Sequence, residues 1–229
     1  MNICVLVSYD KAYEPLAKYS VHDNINKYCE LYGYSLHIDY QDKFDNGRPP
    51  QWRKIEAAIE ILPKYDWVFF LDADCLIMNS DIKLESFLDN NYSFLVPAHF
   101  LKPTDTPITT IDGVENIISS QFFVKNDEEG MKILQAIWEG TNNEFDYEGR
   151  RIREIINENK YNIGIVEERR LNTFWFVSNP FMLWSYPGFN NNVWQYGDFI
   201  VHVTGYKTHE KVQLLSDLNF FSKLSHPNE

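Results

Sequence analysis

The stretch Asp66-Trp67-Val68-Phe69-Phe70-Leu71-Asp72-Ala73-Asp74 decides how this chain of 229 residues is read. Residues 67–71 are apolar without alternation, the pattern of a strand covered on both faces. The run stops at two carboxylates one residue apart. In an extended chain residues i and i+2 point to the same side, so Asp72 and Asp74 are expected to converge on one point. Past the carboxyl end of a central strand, that point is where open α/β sheets bind ligands. Two hard oxygen ligands there suit a divalent cation, and a cation there suits a diphosphate. A strand followed by an ordinary turn fits the same residues. The spacing alone leaves the two readings level.

Working outward, residues 2–9 form a nearly all-apolar first strand with Tyr9, Asp10 and Tyr13 at its end. Residues 14–32 have helical character, with Tyr28 as a core side chain, and Gly33 stops them. Residues 34–40 alternate as a second strand. This β-α-β unit lacks a Gly-x-Gly-x-x-Gly turn, which counts against a dinucleotide dehydrogenase. A helix is expected from residue 51, ended by Pro63. Arg53 and Lys54 sit in its first turn, where the helix dipole disfavours cations, so anion binding is one reading and a solvated face the other.

Farther on, strands are expected at 92–98, 117–124, 163–166 and 198–203. Helices are expected at 128–138, capped by Asn126 or Asp127, at 148–159, and after residue 207. Residues 102–112, rich in Pro and Thr, read as a mobile loop, and residues 171–189 are dense in aromatics. No repeat or domain boundary stands out.

A hydrophobic content of 44% with a net charge of −12 gives a globular, acidic chain. No basic patch offers itself to nucleic acid. No apolar run reaches the length of a membrane span, and the three cysteines lack metal-ligand spacing. Cys4 and Cys75 fall in expected strands, as buried thiols. A soluble, cytoplasmic protein is the expectation.

A metal on two carboxylates is weakly held, so a third ligand is sought at another strand end. His202 is the best placed histidine, although a histidine there is more often a satisfied core residue. Imidazole with carboxylates narrows the ion to Mn²⁺ or Mg²⁺. Nearby, Lys207 offers a phosphate a point charge and Gly205 a close backbone approach.

These segments together resemble a family of glycosyltransferases. Trp52-x-Lys54-Ile55, then Trp67 to Asp74 with Ile77-Met78-Asn79, is similar to the signature of the galactosyl-, xylosyl- and α-1,6-mannosyltransferase family. Phe122-Phe123-Val124-Lys125-Asn126, Arg170-Leu171-Asn172-Thr173-Phe174 and Gly197-Asp198-Phe199-Ile200-Val201-His202-Val203-Thr204-Gly205 resemble its later motifs, in order. The resemblance implies an α/β GT-A fold: a Rossmann-like mixed, mainly parallel sheet flanked by helices. It also implies one domain over residues 1–229, with a nucleotide-binding half to about residue 80 and an acceptor-side half beyond.

The implied activity is metal-dependent transfer of a sugar from a nucleotide-diphospho-sugar to a glycan or other hydroxyl acceptor, with retention. A UDP-sugar is favoured and GDP-mannose is the other option. The implied metal ligands are Asp72, Asp74 and His202. The donor would be held by Tyr9, Lys54, Asp72, Ala73, Gly205 and Lys207. Ile118-Ser119-Ser120-Gln121 stands where the family commonly has Asn-x-Gly, so Gln121 would face the donor sugar. Asp146 and Glu148 are the candidates for the family's acidic residue there, with helix capping as the rival role for one of them. A sugar nucleotidyltransferase would want a Gly-rich basic loop where Ser8-Tyr9-Asp10-Lys11-Ala12 stands. An inactive carbohydrate-binding relative would not need the intact Asp72, Asp74 and His202.

Overall fold

The computed structural model describes residues 1–44, 47–100, 108–109, 114–140, 148–175 and 192–224. The strands in chain order are β1 (Ile3–Asp10), β2 (Ser35–Gln41), β3 (Trp67–Leu71), β4 (Cys75–Ile77), β5 (Phe94–Phe100), β6 (Ile108–Thr109), β7 (Val114–Ile117), β8 (Gln121–Lys125), β9 (Ile163–Glu167), β10 (Thr173–Phe174) and β11 (Ile200–His202). The α-helices are α1 (Glu14–Tyr19), α2 (Asn26–Tyr32), α3 (Arg53–Ile61), α4 (Glu128–Trp138), α5 (Glu148–Glu158), α6 (Glu168–Leu171) and α7 (Thr208–Leu224).

The main sheet has the order β2-β1-β3-β8-β5-β9-β6, with β7 paired to β5. Strands β1, β2 and β3 are parallel, β8 is antiparallel to both β3 and β5, and β9 is parallel to β5. The carboxyl ends of β1, β2, β3, β5 and β9 therefore share one edge of the sheet. β3 is buried throughout and divides its side chains as a two-sided strand must. Trp67, Phe69 and Leu71 enter the core with α2 and α7, whereas Val68 and Phe70 enter the core with α3, α4 and α5. Phe69 stacks on Phe123 and Phe70 on Phe122 across the β3–β8 pair.

Some elements differ from expectation. The strand expected over 117–124 is two strands, because Ser119 and Ser120 form a turn between β7 and β8. The helix expected over 14–32 is α1 and α2 joined through a π-helical stretch, Ser20–Ile25. That stretch aims two polar side chains at the turn after β3. Ser20 Oγ donates to the Ala73 carbonyl at 2.5 Å, and Asn24 pairs with both the N–H and the C=O of Ile77. Such bulges are frequent at functional sites. The last strand is shorter than expected and belongs to a separate sheet, β10-β11-β4. Tyr28 is a core side chain as expected, with its hydroxyl donating to the Ile82 carbonyl at 2.6 Å. Gly33 ends α2 in the left-handed conformation, φ 72°.

Most of the aromatic segment, most of the loop at 102–112 and the candidate Asp146 lie outside the described residues. No helix among the described residues is long and apolar enough to cross a membrane.

Candidate active site

The carboxyl ends of β1 and β3 open onto a cavity of about 240 Å³. Its walls include Tyr9 and Asp10 from β1, Tyr13, Lys54 from α3, and Asp72, Ala73 and Asp74. β3 has already ended at Leu71, so the two acids do not alternate on a strand. They flank a turn in which the Cys75 N–H donates to the Asp72 carbonyl at 3.1 Å. Both carboxylates still face the cavity, but each takes its own partners.

Asp72 turns to Lys54, whose Nζ lies 2.9 Å from Asp72 Oδ1 and 3.0 Å from Glu148 Oε1. Nζ also donates to the Ser119 carbonyl at 3.2 Å, and the Ser119 hydroxyl donates to Glu148 Oε1 at 3.0 Å. Burial opposes the charge on Lys54, yet Asp72 and Glu148 outweigh it and raise its pKa. Burial pushes the Asp72 carboxyl above its usual range despite Lys54. Glu148 begins α5 and is 3% exposed, and its Oε2 is buried with no hydrogen-bond partner. A carboxylate oxygen left bare at such a place is costly, and a ligand hydroxyl would satisfy it.

Asp74 turns the other way. His202 Nε2 lies 3.2 Å from its Oδ1, and Lys211 Nζ lies 2.6 Å from its Oδ2. Burial works against its charge, but His202 and Lys211 outweigh that and hold its pKa well below the usual carboxylate value. The antiparallel pair β4–β11 sets Cys75 opposite His202. A carboxylate oxygen of Asp74, Cys75 Sγ and a ring nitrogen of His202 all lie within 4.8 Å of one another. His202 Nδ1 is buried without a partner. This donor set fits a divalent ion, with Asp72 across the turn from it.

The other residues expected at the site fall as follows. Tyr9 lines the cavity, with its hydroxyl 2.9 Å from His22 Nε2 and its ring edge-on to Tyr40. Ala73 contributes a carbonyl that Ser20 holds. Gln121 is fully buried below the turn, donating from Nε2 to Cys75 Sγ at 3.2 Å. Gly205 follows β11 in a left-handed conformation, φ 79°. Lys207 is exposed, and its backbone N–H donates to Glu210 Oε2 at 2.8 Å.

Arg53 is buried and turned to acids of its own chain. Its guanidinium pairs bidentately with Asp39, at 2.8 and 2.7 Å, and meets Glu56 and Glu60. Ser20 and Lys211 belong to none of the sequence motifs, whereas Ser119 lies in the segment 118–121 expected near the donor sugar. Lys211 had one visible cue, its position one helical turn beyond Lys207.

This sheet, with its acidic turn at the strand ends, defines a GT-A glycosyltransferase fold. A glycosyltransferase involved in glycosylating the major capsid of PBCV-1 superposes with a TM-score of 0.65 at 17% identity, covering 95% of this chain and 100% of that one. A Drosophila β1,4-galactosyltransferase 7 variant, solved with manganese, UDP-Gal and xylobiose, gives 0.52 at 13% identity over 92% of this chain and 74% of that one. At the level of sequence, the profile of the galactosyl transferase GMA12/MNN10 family matches residues 3–213, and the chain belongs to that family.

Two Schizosaccharomyces pombe proteins are similar to it. One is named a probable alpha-1,2-galactosyltransferase, gmh2, 23% identical over 86% of this chain, and the other an uncharacterized alpha-1,2-galactosyltransferase, 26% identical over 80%. The alignments take in 60% and 54% of those two proteins' lengths.

Proposed function

We propose that the protein is a metal-dependent glycosyltransferase that moves a sugar from a nucleotide-diphospho-sugar, a UDP-sugar before GDP-mannose, to a glycan hydroxyl with retention. The observation that carries this reading is the pairing of Asp72 and Asp74 on one cavity wall, with His202 on Asp74. The names of the fungal relatives and the manganese and UDP-Gal of the Drosophila enzyme point the same way. In this reading Asp72, Asp74 and His202 hold Mn²⁺ or Mg²⁺, which when bound offsets the charge that grows on the departing diphosphate.

The chain's own residues do the rest. Tyr9 bounds the base, and Lys54 keeps Asp72 in one rotamer beside the diphosphate. Glu148 Oε2 accepts a hydroxyl of the donor sugar. Gln121 supports the acid turn from below through Cys75, and Asp146 is the candidate at the sugar-facing side. Residues up to about 80 form the donor half and those beyond it the acceptor half of one domain.

The test is a thermal-shift screen of nucleotide sugars with and without Mn²⁺, on the wild type and on Asp72→Asn and Asp74→Asn. The cognate donor should raise the melting temperature most, and only with the metal. Equal shifts with and without Mn²⁺, or unchanged shifts in both variants, would refute the metal assignment.

A further inference from the structure

Besides Lys54, a second cation reaches the acid turn, from α7 and from behind the cavity wall. Lys211, the fourth residue of α7, is buried, with Nζ 2.6 Å from Asp74 Oδ2 and 5.6 Å from the centre of the Tyr13 ring. Asp74 and Tyr13 both line the cavity. The ammonium therefore stands one hydrogen bond behind the cavity wall.

Both oxygens of Asp74 are engaged, one by His202 Nε2 and one by Lys211. A divalent ion that ligates Asp74 has to share or take one of them, and two cations on one carboxylate repel each other. The other lysines considered for the donor phosphates are placed differently. Lys54 is tied to Asp72, Glu148 and the Ser119 carbonyl at once. The side chain of Lys207 is not on the cavity wall. Lys211 has a flexible four-carbon stem and three rotatable donors, so its ammonium can re-aim while α7 stays in place.

On the strength of the donor reading above, we propose that Lys211 is a movable cation of the donor site. It holds Asp74 while no ion is bound and turns to the diphosphate when a divalent ion takes Asp74. Lys211 would then balance the charge of the acid turn in one state and that of the leaving group in the other.

The experiment is calorimetric titration of the full chain, and of Lys211→Met and Lys211→Gln, with MnCl₂ alone and then with UDP in saturating Mn²⁺. Without the lysine, Mn²⁺ alone should bind roughly tenfold tighter, and UDP with Mn²⁺ roughly tenfold weaker, the scale of one charge-assisted hydrogen bond. Unchanged affinity for either ligand in a folded variant overturns the proposal.

A measurement on the wild-type chain covers the case in which neither variant folds. The resonance of isotope-labelled dimethyl-Lys211 should shift on adding Mg²⁺ and again on adding UDP, and a resonance that moves with neither overturns the proposal. If the wild type itself binds neither Mn²⁺ nor UDP, the failure lies with the donor reading.

Discussion

Replacing Lys54 by Met keeps the length of the stem and removes the one ammonium that joins Asp72 to Glu148. The side chain is 8% exposed, Glu148 4% and Asp72 28%, so two carboxylates are left facing each other with little solvent on one side. Taking one partner from a buried ion pair costs about 3–5 kcal/mol. The partial exposure of Asp72 argues for the lower end, about 3 kcal/mol, at neutral pH. The loss should shrink as the pH falls. Burial already raises the Asp72 carboxyl, so acid neutralises it in the variant, whereas in the wild type acid strips the buried ammonium of a partner. The assay is urea unfolding of both proteins between pH 7 and pH 5, read as midpoint shifts at constant slope. A loss under about 1 kcal/mol at pH 7, or one that does not fall with pH, would refute the view that this lysine neutralises a buried acid pair.

Other perturbations follow from the same geometry. Gly130 lies in α4, where an added Cβ would come within 2.1 Å of the Lys125 carbonyl oxygen. Gly130→Ala should therefore destabilise by about 2 kcal/mol despite its better helix propensity, as chemical denaturation would show. Ser20→Ala removes the hydroxyl that holds Ala73 and should cost about 1 kcal/mol. The same variant should weaken Mn²⁺ binding by calorimetry, because the turn carrying Asp74 loses its support.

Asp74 has a folded pKa below its ordinary value of 3.8, so its contribution to stability is present above that pH and lost as the pH falls through the folded value. The stability gap between wild type and Asp74→Asn should therefore be widest above about pH 4 and close in stronger acid, measured by urea melts without metal.

The strands that frame the site were legible because their side chains meet apolar surroundings on one or both faces. Trp67 to Leu71 could hardly be anything but a doubly covered strand, and α4 announced itself by its Asp127 cap, which accepts from the Gly130 N–H at 2.7 Å. That Asp72, Asp74 and Lys54 meet at one cavity, with His202 against Asp74, followed from their places at strand and helix ends.

Less legible was what depends on partners distant in sequence. Arg53 could be read as an anion binder or as a solvated charge and is neither here, because its partner Asp39 sits on the neighbouring strand β2. Ser119 and Ser120 interrupt the apolar residues between Ile117 and Val124, a turn cue that the expectation of one strand passed over. The π-helical stretch depends on tertiary bonds from Ser20 and Asn24 to the acid turn and β4, which helical periodicity cannot reveal. Lys211 reads as one polar residue of a surface helix until the fold brings α7 against α1 and β4.

In the proposed mechanism the acid turn holds a metal for the departure of a nucleoside diphosphate. The most direct test is UDP release from UDP-galactose and other UDP-sugars, with and without Mn²⁺, by the wild type and by Asp74→Asn. Release by the wild type is expected only with Mn²⁺ and only from the cognate donor, with a loss of about a hundredfold or more in Asp74→Asn and its melting curve still cooperative. Metal-independent release by the wild type, or full activity in Asp74→Asn, would contradict it.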